Sequence, residues 1–268
     1  MSKIKDLFES KKFKSAFIPY FTLGDPNYKN SVEYGKTILE RGADILELGI
    51  PFSDPVADGP VIQRAVARSL KNGFNFETIF AVTREIHNHR PEVPLVYLTY
   101  FNPIFRCGIE VFLNKAKEAG VVGLVIPDLP FDTKESTDLF QALKKRDMDL
   151  IHLVTPATSK KRMVDIAITS SGFIYYVTSF GVTGERREFS VDLRDRVNQL
   201  RKVMKLPICA GFGISTPEQA NQISQFSDGI IIGSAIQRII EESSKEEAGT
   251  PNLAPLAEYI TSIRLSIQ

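Results

Sequence analysis

Residues 43–60, "ADILELGIPFSDPVADGP", decide how the rest of the chain is read. The stretch opens as a buried strand, yet Glu47 stands in the middle of the apolar run. Strand alternation puts Ile45, Glu47 and Gly49 on one face and Leu46, Leu48 and Ile50 on the other. The Leu/Leu/Ile face suits packing against helices, so Glu47 points toward whatever the sheet encloses. A proline-stiffened loop carrying Asp54 and Asp58 follows at once and ends Ala-Asp-Gly-Pro.

Working outward, apolar or β-branched runs of the same kind recur: "SAFIPYFTLG", "PLVYLTY", "VGLVIPD", "DLIHLVTP", "GFIYYVTS", "LPICAGFGI" and "SDGIIIGSAI". Between them lie segments of helical periodicity such as "NSVEYGKTILERG" and "TKESTDLFQALKKRD", several closed by a breaker such as Gly42 or Gly120. Eight strands alternating with helices predict a parallel sheet, and the number eight favours a closed (β/α)8 TIM barrel. An open doubly wound sheet is the alternative, but no G-x-G-x-x-G follows the first strand. The barrel uses residues 1–268 as a single domain. It leaves over an extra N-terminal helix, with Ile4, Leu7 and Phe8 on one face, and an extra C-terminal helix over about 253–267.

Bulk composition narrows the function classes. With 33 basic and 32 acidic residues, net charge +1, the chain carries no electrostatic footprint for nucleic acid or an anionic membrane. No apolar run reaches the roughly 18–20 residues of a membrane helix, and the charged first residues predict a cytoplasmic protein. Cys107, Cys209, His87, His89 and His152 show no metal-ligand spacing, so no metal is expected. Cys209 reads as a small buried hydrophobe.

In a barrel of this kind the chemistry lies at the C-terminal ends of the strands. A buried carboxylate is costly unless it is paired or kept neutral by a raised pKa. No other strand run contains Lys or Arg to pair with Glu47, which points to a catalytic acid/base. Asp58 is ambiguous on local grounds, because Asp-Gly-Pro is also an ordinary turn. Three glycine-containing loops, "GVTGE", "AGFGIS" and "IGSA", follow the last three strands. With Ser215 and Ser234 available as donors, they suggest a phosphate site built on backbone N–H groups and a helix N-terminus.

Together these residues resemble a known family. "LELGIPFSDPVADGPVIQRA" is similar to the defining motif of the tryptophan synthase alpha chain, and the likeness continues through "FIPYFTLGDP", "YLTYFNPIF", "GLVIPDLP", "YYVTSFGVTGER" and "AGFGIS". The resemblance implies retro-aldol cleavage of indole-3-glycerol phosphate to indole and D-glyceraldehyde 3-phosphate. It implies catalytic roles for Glu47 and Asp58, with Thr183 holding Asp58 when the loops close. Gly184, Gly213, Gly233 and Ser234 would bind the phosphate. Tyr20, Leu98, Tyr100, Val125, Tyr175 and Phe212 would line the indole pocket, with Ile62 nearby and Asp128 as a polar neighbour. Residues 51–60 and 179–189 would act as lids.

The resemblance further implies a β subunit that receives indole in an αββα heterotetramer, with Asp54, Pro55 and Asn102 at the interface. Pyridoxal phosphate is expected only in that partner, and no cofactor in this chain. Phe180 departs from the pattern, since many relatives carry Ser or Thr there. Rival readings are another phosphate-binding barrel enzyme, such as an indole-glycerol-phosphate synthase, and a non-catalytic subunit that only binds a β partner. The synthase needs a strand lysine that no run supplies, and the intact Glu47 and Asp58 argue against the second.

Overall fold

Glycines turn the chain out of its helices and back toward the sheet. Gly42 and Gly120 follow the helices Tyr28–Glu40 and Ile109–Glu118 with φ of 106° and 93°, a backbone conformation that a Cβ opposes. The computed structural model describes all residues except 1, 11, 178–185, 212 and 245–250, and the side chains of 186–192.

The strands are β1 (Ala16–Thr22), β2 (Leu46–Gly49), β3 (Leu95–Leu98), β4 (Val121–Val125), β5 (Asp149–Ile151), β6 (Leu153–Val154), β7 (Ile174–Val177), β8 (Ile208–Gly211) and β9 (Gly229–Ile232). Every pairing is parallel, in the order β5-β4-β3-β2-β1-β9-β8-β7-β6. The run "DLIHLVTP" forms two segments, β5 bonded to β4 and β6 bonded to β7, with His152 between them. The His152 carbonyl accepts the Tyr175 N–H at 3.0 Å, so the ring continues through the break. Among the described residues the eight sequence runs thus make nine strand segments of a TIM barrel, as expected apart from the interruption.

Alternation sorts the strand residues as the sequence predicts. Leu46, Leu48 and Ile50 enter the outer core between sheet and helices, whereas Ile45 joins Ile18, Val96, Val125, Ile151, Cys209 and Ile231 in the inner one. The N-terminal helix Lys3–Glu9 is too short to hold by itself. It is kept by Ile4, wholly buried in the inner core, a burial that stabilises by roughly 2 kcal/mol. Gly123 makes room for it, because a Cβ there would stand 3.3 Å from the Ile4 Cδ1. At its N-cap the Ser2 hydroxyl donates to the Asp149 carboxylate and accepts from the Lys5 N–H. The helix therefore plugs the end of the barrel away from the strand C-termini. The C-terminal helix Ala254–Ser266 buries Leu256, Ile260 and Ile263 against the outer helices.

Candidate active site

Glu47 sits near the end of β2, 2% exposed, and neither carboxylate oxygen has a hydrogen-bond partner among the described residues. Among the described residues no salt bridge reaches it, so an internal ion pair does not account for it. Burial pushes its pKa up to about 8, and the Asp58 charge adds to the rise. At neutral pH Glu47 therefore holds a proton.

Asp58 is held differently. The Tyr100 hydroxyl donates to its Oδ2 at 3.0 Å and accepts the Ala57 N–H at 3.0 Å, pinning the loop after β2 to the turn after β3. Burial raises Asp58 to about 6, with the Tyr100 bond acting against the rise. Two carboxylates of one site thus titrate apart, the strand acid above neutrality and the loop acid below it. Asp128 accepts the Phe101 N–H at 2.9 Å, which fixes the turn carrying Tyr100.

Both carboxylates face a cavity of about 300 Å³ at the strand C-termini, walled by Tyr20, Leu98, Tyr175, Ile62 and Ile231. Tyr20 is the β1 register partner of Glu47, and its hydroxyl lies 3.2 Å from the Thr22 Oγ1. A Cβ on Gly49 would overlap that hydroxyl. Gly49→Ala is accordingly expected to push Tyr20 into the cavity. Overpacking of this kind costs about 1–3 kcal/mol. We expect a rise in KM of about tenfold and a melting temperature a few degrees lower, read by steady-state kinetics and thermal unfolding.

The same cavity is lined by Gly213, Gly233 and Ser234. Gly213 has φ 76°, the left-handed backbone that brings the β8 loop to the cavity edge. Gly233 is the N-cap of the helix Ser234–Ser243 and supplies no side-chain cap, so the first N–H groups remain available to an anion.

Of the residues implied for the site, Tyr20, Glu47, Asp58, Leu98, Tyr175, Gly213, Gly233 and Ser234 meet around the cavity. Tyr100 reaches it through Asp58, whereas Val125 is sealed in the inner core beneath it and lines no part of the cavity. Thr183, Gly184, Phe180 and Phe212 lie outside the described residues. Ser215 lines the cavity, but its N–H and hydroxyl donate to Gln219 Oε1 at 2.9 and 3.2 Å, so it is committed to capping rather than free as a donor. Arg238, missed in the sequence, also lines the cavity. Its place one helical turn after Ser234 was the available signal.

Fold and site define a class: (β/α)8-barrel enzymes, here with two carboxylates and an open helix N-terminus lining one pocket. A family model described as "Tryptophan synthase alpha chain" matches residues 8–261. The tryptophan synthase alpha chain of Leptospira biflexa is 73% identical over the whole of both chains, and that of Leptospira interrogans 52%. Among solved structures, tryptophan synthase subunit alpha of Legionella pneumophila matches all of this chain and 98% of its own, with 34% identity and TM-score 0.89. Tryptophan synthase of Mycobacterium tuberculosis, aminoacrylate-bound form, covers all of both chains, with 28% identity and TM-score 0.87. The chain belongs to the tryptophan synthase alpha chain family. It is a carbon–carbon lyase of tryptophan biosynthesis that cleaves indole-3-glycerol phosphate to indole and glyceraldehyde 3-phosphate. The family is cofactor-free and implies a β-subunit partner.

Proposed function

We propose that Glu47 and Asp58 divide the cleavage between them. The Glu47 carboxyl gives its proton to C3 of the indole ring, leaving positive charge on the ring nitrogen. Ionised Asp58, accepting a hydrogen bond from the ring N–H, stabilises that charge. Glu47, now a carboxylate, removes the proton of the adjacent side-chain hydroxyl. The aldehyde carbonyl forms, the bond from C3 to the side chain breaks, and its electron pair returns to the ring. Glu47 ends protonated, ready for another cycle. The observation that carries this reading is Glu47 itself, a buried carboxyl without a partner facing a cavity it shares with Asp58.

The remaining roles follow the cavity's two ends. Tyr20, Leu98, Tyr100, Tyr175 and Ile62 hold the indole, while Gly213, Gly233 and Ser234 receive the phosphate, with Thr183, Gly184 and Phe212 completing the site. We also read residues 1–268 as one domain, supported by a ring drawing on strands from Ala16 to Ile232 with both terminal helices packed on it. The enzyme is cytoplasmic and works in an αββα assembly, with pyridoxal phosphate confined to the β subunits and no cofactor here. Exposed Asp54 and Asn102, with Val56 and Phe105 at 82% and 66% exposed, support the face around residues 52–56 and 101–105 as the β-subunit contact.

This division makes a pH prediction. Asp58 must be ionised, so kcat/KM rises as pH passes about 6; Glu47 must be protonated, so it falls as pH passes about 8. Indole release measured from pH 5 to 9 with a β subunit present should trace that bell. A profile flat across this range would sink the assignment.

A further inference from the structure

Asp25, in the loop after β1, is wholly buried and carries no role in the chemistry above. The Arg68 guanidinium donates to both its oxygens, Nε to Oδ1 at 2.8 Å and Nη2 to Oδ2 at 2.7 Å. Gln237, equally buried, donates to Asp25 Oδ2 at 2.5 Å and accepts the Thr22 N–H at 2.9 Å. Arg68 reaches on through Nη1 to Glu241 at 2.7 Å, and Arg64, one turn earlier, grips Glu241 with Nε and Nη2 at 2.9 and 2.8 Å.

The ends of this network matter. Arg64 and Arg68 lie on the helix Pro60–Lys71, which starts two residues after Asp58. That junction is stiff, since Gln63 Nε2 donates to the Asp58 carbonyl at 2.7 Å and the Gln63 N–H to the Gly59 carbonyl at 3.0 Å. Gln237 and Glu241 lie on the helix that begins at Ser234, and the two helices pack together. A charge-assisted, bidentate hydrogen-bond path therefore ties the helix that follows Asp58 to the helix whose N-terminus faces the phosphate end.

We propose that Arg68 is a positioning residue that sets the separation between Asp58 and the Gly233–Ser234 cradle, matching the pocket to the length of an indole–glycerol–phosphate substrate. The proposal rests on the two-ended reading of the site given above. A two-ended ligand gains over its fragments only while both half-sites stand at the distance it spans. Lysine at position 68 keeps the charge but loses the fork that fixes Asp25 and Glu241 together.

The test compares wild type with Arg68→Lys in the αβ complex on three probes: indole, glycerol 3-phosphate, and a non-cleavable analogue in which a saturated chain joins indole to phosphate. Both fragments should bind within twofold of wild type, while the analogue loses about tenfold in affinity and kcat/KM falls by about tenfold, mainly in kcat. Glu241→Gln, which leaves Asp25 paired, should show the same split to a smaller degree if the lysine variant folds poorly. A lower melting temperature with unchanged kcat/KM, or equal losses for all three probes, would overturn the positioning role. Failure of the wild type to bind glycerol 3-phosphate would instead overturn the two-ended reading, and this proposal with it.

Discussion

Glu47→Gln is expected to lower the rate of indole release by about 10³-fold or more while making the protein more stable at alkaline pH. The loss follows from the proposed mechanism, which uses one carboxyl twice, as acid and then as base. Each such proton transfer contributes about 10²–10⁴-fold, and an amide can perform neither. The gain follows from linkage. The Glu47 pKa rises from 4.5 to about 8 on folding, so the folded protein holds a proton that the unfolded chain releases. Stability associated with that proton is complete below about pH 4.5 and is lost as pH rises through about 8. The interval, at about 1.4 kcal/mol per pH unit, is on the order of 5 kcal/mol. Wild type should therefore lose melting temperature between pH 5 and 8 more steeply than Glu47→Gln. Asp58 titrates in both proteins and leaves the difference in place. Parallel melting curves across this range would show that Glu47 is not the buried, partnerless acid described here. Retained activity would remove it from the chemistry.

Asp58→Asn is the second large effect, and it tests charge rather than shape. The amide oxygen can still accept the Tyr100 hydroxyl that reaches Asp58 Oδ2 at 3.0 Å, so the loop should keep its place. What disappears is the negative charge that the proposed mechanism sets against the ring nitrogen. Loss of one preorganised electrostatic contact of this type costs about 10²–10³-fold in kcat. The pH profile should change as well. The acidic limb near pH 6 belongs to Asp58 and should vanish. The alkaline limb should move down, because the Asp58 charge is the second cause of the raised Glu47 pKa. A residual activity that keeps its acidic limb would assign that limb to another group and take Asp58 out of the mechanism.

Legibility in the sequence differed between residues for physical reasons. Glu47 could be read because a carboxylate in an apolar strand is costly wherever that strand lies, and no strand run offered a cation. Its orientation also followed from alternation, as Ile45 in the inner core and Leu46 and Leu48 in the outer one confirm. Asp58 could not be read locally. Asp-Gly-Pro makes a turn in many settings, and what sets this one apart is the Tyr100 hydroxyl, 42 residues away. Ser215 misled for the same reason. Its hydroxyl looked available until Gln219, a helical turn further on, took it. Val125 sits on the barrel-facing side of its strand as expected, but too deep to touch the cavity. The break at His152 left no trace in a run that reads as one strand.

By itself, then, the sequence determined the parallel barrel and the inward carboxyl, because periodicity and the cost of burying charge act over a few neighbouring residues. Only the tertiary structure decided which acid keeps its proton, how the Asp58 loop is pinned, and that Asp25, Arg68 and Gln237 meet across 212 residues of chain. Those outcomes depend on which groups lose water together and which partners fill their place, and that is set when distant segments pack.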